Sequence, residues 1–485
     1  MMKKNHSLVF LLFSAAMLFV FASCNKLSKA TVSGVGIPAT PDSVILKSHV
    51  FVIDSTQLIL VSTTAQVNDG IYIYTSNSTI PGFMVNDIII GITGAGYLRK
   101  VTSVMMQQNE VALTTSQAKL EDVFLQANIN FNTSVANLMR TADNTYQYNI
   151  SNATLYQDAS ATATITSGNI SIDPNWQYNM QFQNGTITGF SAISSNATLN
   201  SALQMNITSS ATDNINATTT FHSVSGRTIV WIGKLPIVVT TNLSFVANIT
   251  GNVTGAVNRT LSITNNDTYT LGDVYSAGTW HNQYNFTSSS TLNASAPGAA
   301  ALNLSCRIMP QMSIMIYGVV CPVTSISLNT SELGNVSATT GNWDFAASLT
   351  QQPTVSASGT ILGYSVPDNA NSWNTDTLSY RTPYQVVMIS GDGQVGSAYS
   401  YLPQPLVVQV TDNNGNPQIN VPVYFAVTSG GGTLANFKVL TNSSGLAQAN
   451  WILGNPATAS QSVQATVSMA NGTQILGSPI NFIAL

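Results

Sequence analysis

The chain contains 485 residues, of which 44% are hydrophobic and only 7% are charged. Soluble domains usually carry ~25% charged residues, so the polar surface here has to be built mainly from Asn, Thr, Ser and Gln. The 15 basic and 19 acidic residues include no basic stripe for phosphates, which excludes nucleic-acid binding. A charge-rich disordered chain and a Glu/Lys coiled coil are excluded as well. The length predicts about three domains.

The N-terminus has the order of a secretory signal. Two lysines precede an apolar run from Leu8 to Ala22, which is too short to span a bilayer but typical of a signal-peptide core. The run ends in F-A-S-C, which resembles the lipobox of bacterial lipoproteins, with Phe21 in place of the usual Leu. The resemblance implies that residues 1–23 are removed and that Cys24 carries the lipid. The alternative is an ordinary secreted protein with a free thiol at Cys24.

The mature chain is expected to be anchored to a membrane without spanning it. Lipid chains contribute about 0.8 kcal/mol per buried CH2, so a triacylated cysteine is a firm anchor. Asn25, not Asp, follows the cysteine, which by analogy with enterobacterial lipoprotein sorting favours the outer membrane. Residues 24–42 are rich in Gly, Pro and small side chains and predict a flexible tether. We therefore expect a surface-exposed outer-membrane lipoprotein.

Short apolar runs separated by turn residues predict a small β domain over residues 43–131. The predicted strands are Val50–Ile53, Gln57–Ser62, Gly70–Thr75, Asp87–Thr93, Leu98–Met105 and Glu110–Thr115. The segment Ser116–Ala127 places Leu120, Val123 and Phe124 on one helical face, so it predicts a helix capped by Ser116.

Residues 132–383 alternate small or apolar residues with Asn, Thr and Ser, as in A-T-A-T-I-T-S-G-N-I-S-I. Period-two patterning of this length predicts a large antiparallel β domain with one apolar face. This segment also holds Cys306 and Cys321, and a disulfide between them would contribute about 3 kcal/mol by loop entropy. The turn predicted at Met309-Pro310-Gln311 would instead pair Cys306 with Ser313 or Ile314, so a disulfide and two buried thiols both remain open.

Residues 384–485 show about seven short strands with turns every 8–12 residues, the pattern of an immunoglobulin-like sandwich. Leu406, Val408 and Val410 are expected to face a second strand, with Trp451 as the central core aromatic. The motifs V-T-D-N-N-G-N-P, V-T-S-G-G-G-T-L and T-N-S-S-G-L-A-Q-A-N-W resemble the group 1 bacterial Ig-like domain of the invasin and intimin family. This implies a spacer or adhesive module. A single copy without a barrel or lectin-like tip does not imply host-cell invasion.

The sequence patterns that resemble catalytic or metal-binding motifs predict no site. Gly391–Gly396 matches G-x-G-x-x-G, but the prolines that follow cannot form the helix that a dinucleotide site requires. Asp412 precedes two asparagines in a calcium-like spacing that is better explained by an Asx turn. The remaining candidates are expected mostly on turns and separately solvated, without converging in one cleft: Asp173, Asp213, His222, Asp267, Asp273, His281, Glu332 and Asp344. No catalytic residue, cofactor or metal site is predicted.

Together these patterns predict an all-β, multidomain cell-surface lipoprotein that acts in adhesion, spacing or envelope assembly. Its expected partners are the membrane, through the lipid, and a surface protein or glycan. The alternative is a ligand-binding lipoprotein that holds a glycan or lipid in the central domain. Three tryptophans of that domain are the candidates for stacking on a sugar: Trp280, Trp343 and Trp373.

Overall fold

The computed structural model describes residues 44–76, 79–133, 145–295, 301–356, 359–361, 364–366, 371–375, 377–455 and 460–485. The predicted signal peptide 1–23, Cys24 and the tether 24–42 lie outside these residues. The described chain is nearly all β and mostly antiparallel, which confirms the predicted fold class. Its helices, Thr64–Asn68 and Leu120–Val123, are both short.

The N-terminal segment forms a six-stranded sheet with its own core. The segment contains eight strands, of which β2 to β7 form this sheet. The eight are β1 (Val44–Leu46), β2 (Val50–Val52), β3 (Ile59–Leu60), β4 (Ile71–Thr75), β5 (Ile88–Gly91), β6 (Tyr97–Gln107), β7 (Glu110–Gln117) and β8 (Phe124–Thr133). The sheet order is β2-β5-β6-β7-β4-β3, with β2 and β5 parallel. Ile89 packs into the small core, whereas its neighbours Ile88 and Ile90 pack into the large core of the chain. The six strands predicted between Val50 and Thr115 are all present, as β2 to β7.

Two predictions for this segment are wrong. The helix predicted over Ser116–Ala127 is confined to Leu120–Val123, and Ser116 lies in β7. Burial alternates along β8 at Ala127, Ile129 and Phe131, so a strand buries this run better than a helix does. In addition, β1 and β8 pair with each other and β8 pairs with a central strand, so the predicted boundary at 131/132 falls inside β8.

The central region is a sandwich of two large sheets. Its strands are β9 (Tyr146–Gln157), β10 (Ala161–Asp173), β11 (Trp176–Gln183), β12 (Thr186–Ser209), β13 (Asp213–Ile232), β14 (Leu235–Thr254), β15 (Val257–Ser276), β16 (Thr279–Ala294), β17 (Ala301–Ile316), β18 (Val319–Val336), β19 (Trp343–Ser356), β20 (Gly359–Ile361), β21 (Tyr364–Val366), β22 (Asn371–Ser372) and β23 (Leu378–Thr382). The first sheet has the order β1-β8-β11-β12-β10-β9, with β15 on the other side of β12 and β16 beyond it. The second has the order β13-β14-β17-β18-β19, with β22 and β23 on β19, while β20 and β21 form a separate hairpin.

Several central strands are unusually long. Strand β12 has 24 residues, and β13, β14 and β15 have 20 each, whereas strands usually have about 3–10. One edge of β12 pairs first with β11 and then with β10, and its other edge pairs with β15 along almost its whole length. At about 3.3 Å per residue, β12 alone runs for roughly 80 Å. The sandwich is therefore elongated along its strands.

The C-terminal segment is a second, smaller sandwich. Its strands are β24 (Gln385–Ser390), β25 (Leu406–Thr411), β26 (Pro422–Ser429), β27 (Thr433–Leu434), β28 (Lys438–Leu440), β29 (Leu446–Ala449), β30 (Trp451–Ile452), β31 (Gln461–Thr466) and β32 (Ile480–Ala484). Sheet β24-β25-β29 faces sheet β28-β26-β31-β32, an order that matches A-B-E against C′-C-F-G in immunoglobulin folds. The predicted core is present, because Leu406, Val408, Val410 and Trp451 are all buried.

The small sandwich is docked against the central one. Trp343 Nε1 donates to the Asn420 carbonyl at 3.1 Å, and Tyr424 Oη donates to the Thr340 carbonyl at 2.8 Å. Nearer the connection, Asn413 Nδ2 donates to the Ser379 carbonyl at 2.8 Å. Only Pro383 and Tyr384 separate β23 from β24. The short connection and these contacts fix the C-terminal sandwich as a continuation of the central body.

Candidate functional site at the edge of the central sandwich

Strand β16 carries a row of side chains that line an open cleft. Tyr284, Phe286, Ser288 and Ser290 stand two residues apart, so they point to the same face of the sheet. Among the described strands β16 pairs only with β15, which places this row at the edge of the first sheet. The row therefore forms a wall at the point where the sandwich opens to solvent.

The opposite wall comes from the second sheet. Leu349 and Gln351 of β19 contribute to it, and the segment before β23 adds Asn374, Thr375, Thr377 and Leu378. The cleft has a volume of about 500 Å³, within the range of roughly 300–1,000 Å³ for small-molecule sites. None of the ten lining residues in the described part of the chain is charged. We call this feature the edge cleft.

An aromatic pair stands at the cleft. The rings of Tyr284 and Trp373 are stacked, with centroids 4.2 Å apart and planes tilted by only 10°. Tyr284 is 39% exposed although it lies on a packed sheet edge, and Trp373 is half-buried. The Trp373 amide donates to the Pro353 carbonyl at 3.0 Å, which ties the pair to the end of β19. The pair thus offers an apolar ring surface beside polar side chains.

Behind the cleft lies a buried network of amides and hydroxyls. Gln351 Nε2 donates to Asp267 Oδ1 at 3.0 Å and to Ser290 Oγ at 3.2 Å, and it also contacts Asn265 Oδ1. Ser290 Oγ donates to Asn265 Oδ1 at 2.7 Å and shares a 2.9 Å hydrogen bond with Ser288. Burial raises the pKa of Asp267 to about 6, although hydrogen bonds from its neighbours oppose this shift. The network holds the polar lining of the cleft in fixed positions.

The three tryptophans that were candidates for one stacking surface lie at three separate places. Trp373 stacks on Tyr284, which lines the edge cleft. Trp280 packs against Phe190 and Tyr275, with centroid distances of 5.8 and 5.2 Å. Trp343 is only 4% exposed and is used in the contact between the two sandwiches. The aromatic partner of Trp373 is therefore Tyr284, which the sequence reasoning missed.

The expectation that most of the eight candidate residues lie on turns is wrong, because all of them lie in strands: Asp173, Asp213, His222, Asp267, Asp273, His281, Glu332 and Asp344. Three of the acids are also not solvated. Asp267, Asp273 and Glu332 lie within long strands and are buried. Asp273 accepts from Asn282 Nδ2 at 2.6 Å, and burial raises its pKa to about 6. Glu332 pairs with Arg259. The three acids have different partners.

The histidines of the described chain also lie apart. His222 Nε2 is 2.6 Å from Tyr146 Oη, its ring stacks on Tyr148 at 3.9 Å, and burial lowers its pKa. His281 Nε2 is 2.9 Å from Thr279 Oγ1 on an exposed part of β16. Asp412 accepts from the amides of Asn414 and Asn416, which is the predicted Asx-type turn. In the described residues, no three His, Cys, Asp or Glu side chains are grouped to hold a metal ion.

Strand register separates the two cysteines that are candidates for a disulfide. Pro310 lies inside β17 opposite Phe245, so the turn predicted there is wrong, and the chain turns at Tyr317-Gly318 instead. Cys306 is a free, buried thiol opposite Thr330 of β18. Cys321 stands nine positions from Thr330 on the same strand, a separation of roughly 30 Å. A disulfide needs Cα atoms within about 7 Å, so this register favours two thiols over a disulfide.

No protein-family model matches the chain, and a search of curated proteins found no match. Within the described part of the chain, no helix has the length and apolar character needed to cross a bilayer.

Proposed function

We propose that this chain is a lipid-anchored, non-enzymatic protein of the bacterial cell surface that acts in adhesion, spacing or envelope assembly. The lipid on Cys24 attaches it to the outer membrane, and the β body reaches outward to a surface protein or glycan. The C-terminal module is proposed to be related to the bacterial Ig-like domains of invasins and intimins, which the motifs around Asp412 and Trp451 resemble.

The observation that carries this proposal is the continuous β body. Strands of 20 to 24 residues run along the central sandwich, and the C-terminal sandwich is held to it by side-chain contacts and a two-residue connection. A spacer has to hold its tip at a fixed distance from its anchor. A long hydrogen-bonded sandwich with a docked end module suits that task better than domains on flexible linkers.

The surface chemistry agrees with this role. A chain with only 7% charged residues and many Asn, Thr and Ser side chains hydrogen-bonds widely with little electrostatic steering. The buried acids Asp267, Asp273 and Glu332 have separate partners, so they offer no paired acid and base for hydrolysis.

The anchoring part of the proposal is tested with Cys24→Ser. Membrane and soluble fractions of expressing cells are separated and the protein is detected in each. We expect the variant to move from the membrane fraction to the soluble one, because no other residue is proposed to carry lipid. Cys306→Ser is the matched control, since it removes a buried thiol, and it should stay with membranes. A Cys24→Ser protein that still sediments with membranes contradicts the proposed anchor.

The surface location is tested by adding protease to intact cells, with and without inhibition of lipoprotein processing. A surface protein should be digested on untreated cells and protected when processing is blocked. Protection in untreated cells, with digestion only after lysis, would place the protein inside the envelope and overturn the surface role.

A further inference from the structure

We propose that the edge cleft binds a neutral oligosaccharide. The cleft is the one defined above by the row of four side chains on β16 and by Leu349 and Gln351 of β19. Its remaining lining residues are Asn374, Thr375, Thr377 and Leu378. This proposal is independent of the lipid anchor, because it rests on side chains of the central sandwich alone.

The charge of the lining selects the class of ligand. The ten lining side chains that the structure describes are uncharged, and six of them are Ser, Thr, Asn or Gln. Asp267, the acid behind the cleft, is buried and already accepts hydrogen bonds from Gln351. Among the described lining residues, an anionic ligand would find no cation and a cationic ligand would find no carboxylate. A neutral ligand fits both facts.

The polar side chains then select hydroxyl groups over hydrocarbon. An apolar ligand would remove Ser288, Thr377 and Asn374 from water without replacing their hydrogen bonds, which is unfavourable. Hydroxyl groups both donate and accept, and side-chain amides donate through their NH2 and accept through their C=O, so together they match sugar hydroxyls in either orientation. The lining therefore favours a polyhydroxylated ligand over a lipid.

The aromatic pair supplies an apolar surface for the C–H face of a sugar ring. A sugar ring has an apolar C–H face, and aromatic rings are the side chains that cover such faces in binding sites. The Tyr284–Trp373 stack lies beside the hydroxyl row, so the two faces of a sugar meet two kinds of partner. The cleft is open along the sheet edge rather than closed, which suits a unit within a chain. These features together point to an oligosaccharide rather than a free monosaccharide.

The test uses the purified full-length protein and a panel of neutral hexasaccharides. The panel contains linear α- and β-linked oligomers of glucose, mannose, galactose, xylose and N-acetylglucosamine, and binding is measured by titration calorimetry. We expect at least one to bind with a Kd of about 10⁻⁴–10⁻³ M, typical of a small open site. Tyr284→Ala should weaken that binding by about tenfold, because it removes half of the stacked pair. Sialylated and sulfated oligosaccharides are included as charged competitors.

Two further variants keep the test interpretable. Thr377→Trp fills the cleft at an exposed position and should abolish binding without emptying the core. Tyr399→Ala removes a 72% exposed tyrosine from the C-terminal sandwich and should leave binding unchanged. The proposal is overturned if no neutral hexasaccharide binds at about 5 mM, if charged oligosaccharides bind better, or if Thr377→Trp binds as well as the parent protein.

Discussion

Arg259 and Glu332 form an ion pair between the two sheets of the central sandwich, with Arg259 Nη1 2.7 Å from Glu332 Oε2. Both side chains are only 1% exposed. Arg259 comes from β15 of the first sheet and Glu332 from β18 of the second, and the guanidinium lies 4.2 Å from the ring centre of Phe345. Burial raises the pKa of Glu332 and lowers that of Arg259, while their mutual attraction opposes both shifts. The pair thus joins the sheets deep inside the core.

We expect removal of one partner to be more harmful than removal of both. Glu332→Gln leaves the Arg259 charge buried without compensation, so it should lower the free energy of unfolding by about 3–5 kcal/mol. The double variant Arg259→Met with Glu332→Leu should recover much of that loss, because two apolar side chains need no charge partner. Urea unfolding of the three proteins measures this. A double variant less stable than Glu332→Gln would show that the pair stabilises the fold beyond mutual neutralisation.

The buried acids predict an unusual pH dependence of stability. Burial raises the pKa of Asp267 and of Asp273 from 3.8 to about 6, so between these values the folded chain binds more protons than the unfolded chain. The stabilisation from each is therefore present at low pH and is lost as the pH rises from about 4 to 6. Each group is expected to contribute roughly 1–3 kcal/mol. His222 acts in the opposite direction, because its lowered pKa weakens the fold as the pH falls.

The contribution of Asp267 is isolated by comparing the parent with Asp267→Asn. The asparagine keeps the size of the side chain but cannot titrate, so the free energy of unfolding should depend less on pH between 4 and 7. Urea unfolding at several pH values in this range measures the difference in slope. Equal slopes in the two proteins would mean that Asp267 titrates at its ordinary pKa.

Local patterns predicted much of the strand content but little of the strand length. The runs between Val50 and Thr115 are short and end at turn residues, so each strand was recognisable. In the central region Pro310 predicts a turn by its residue type, although a proline can lie within a strand where its missing N–H is tolerated. The observed turns include Asn184-Gly185 and Tyr317-Gly318, where both residues have positive φ. Asn, Gly and Tyr also occur within the strands, so these residue types alone do not mark the turns.

The edge cleft shows a second limit of the sequence. Period-two spacing does place Tyr284, Phe286 and Ser288 on one face, and the same spacing puts Asn265 and Asp267 on the inner face of β15. The spacing does not predict which strand packs against these side chains, because Gln351 lies more than 60 residues away and on the other sheet. Such pairings depend on the register of distant strands, which alternation alone leaves unspecified.

The placement of Cys306 predicts its reactivity. The thiol is buried in β17, and burial raises its pKa, so the reactive thiolate is scarce in the folded protein. With a soluble alkylating reagent, Cys306 should be modified only after unfolding, and non-reducing peptide mapping should find no Cys306–Cys321 bond. Rapid alkylation of Cys306 under native conditions would contradict its burial.

The C-terminal sandwich is expected to fold when residues 384–485 are expressed alone, because Leu406, Val408, Phe425 and Trp451 form a core within it.

Trp451 is only 1% exposed, and a Cβ on Gly432 would come within 2.6 Å of its Nε1, so the ring is closely packed. Trp451→Ala should therefore lower the free energy of unfolding by about 3–5 kcal/mol. Phe437→Ala is the matched control, since Phe437 is 73% exposed in the same segment and its loss should change stability little. Chemical unfolding followed by circular dichroism compares the two, and equal midpoints for both variants would show that Trp451 does not stabilise the core.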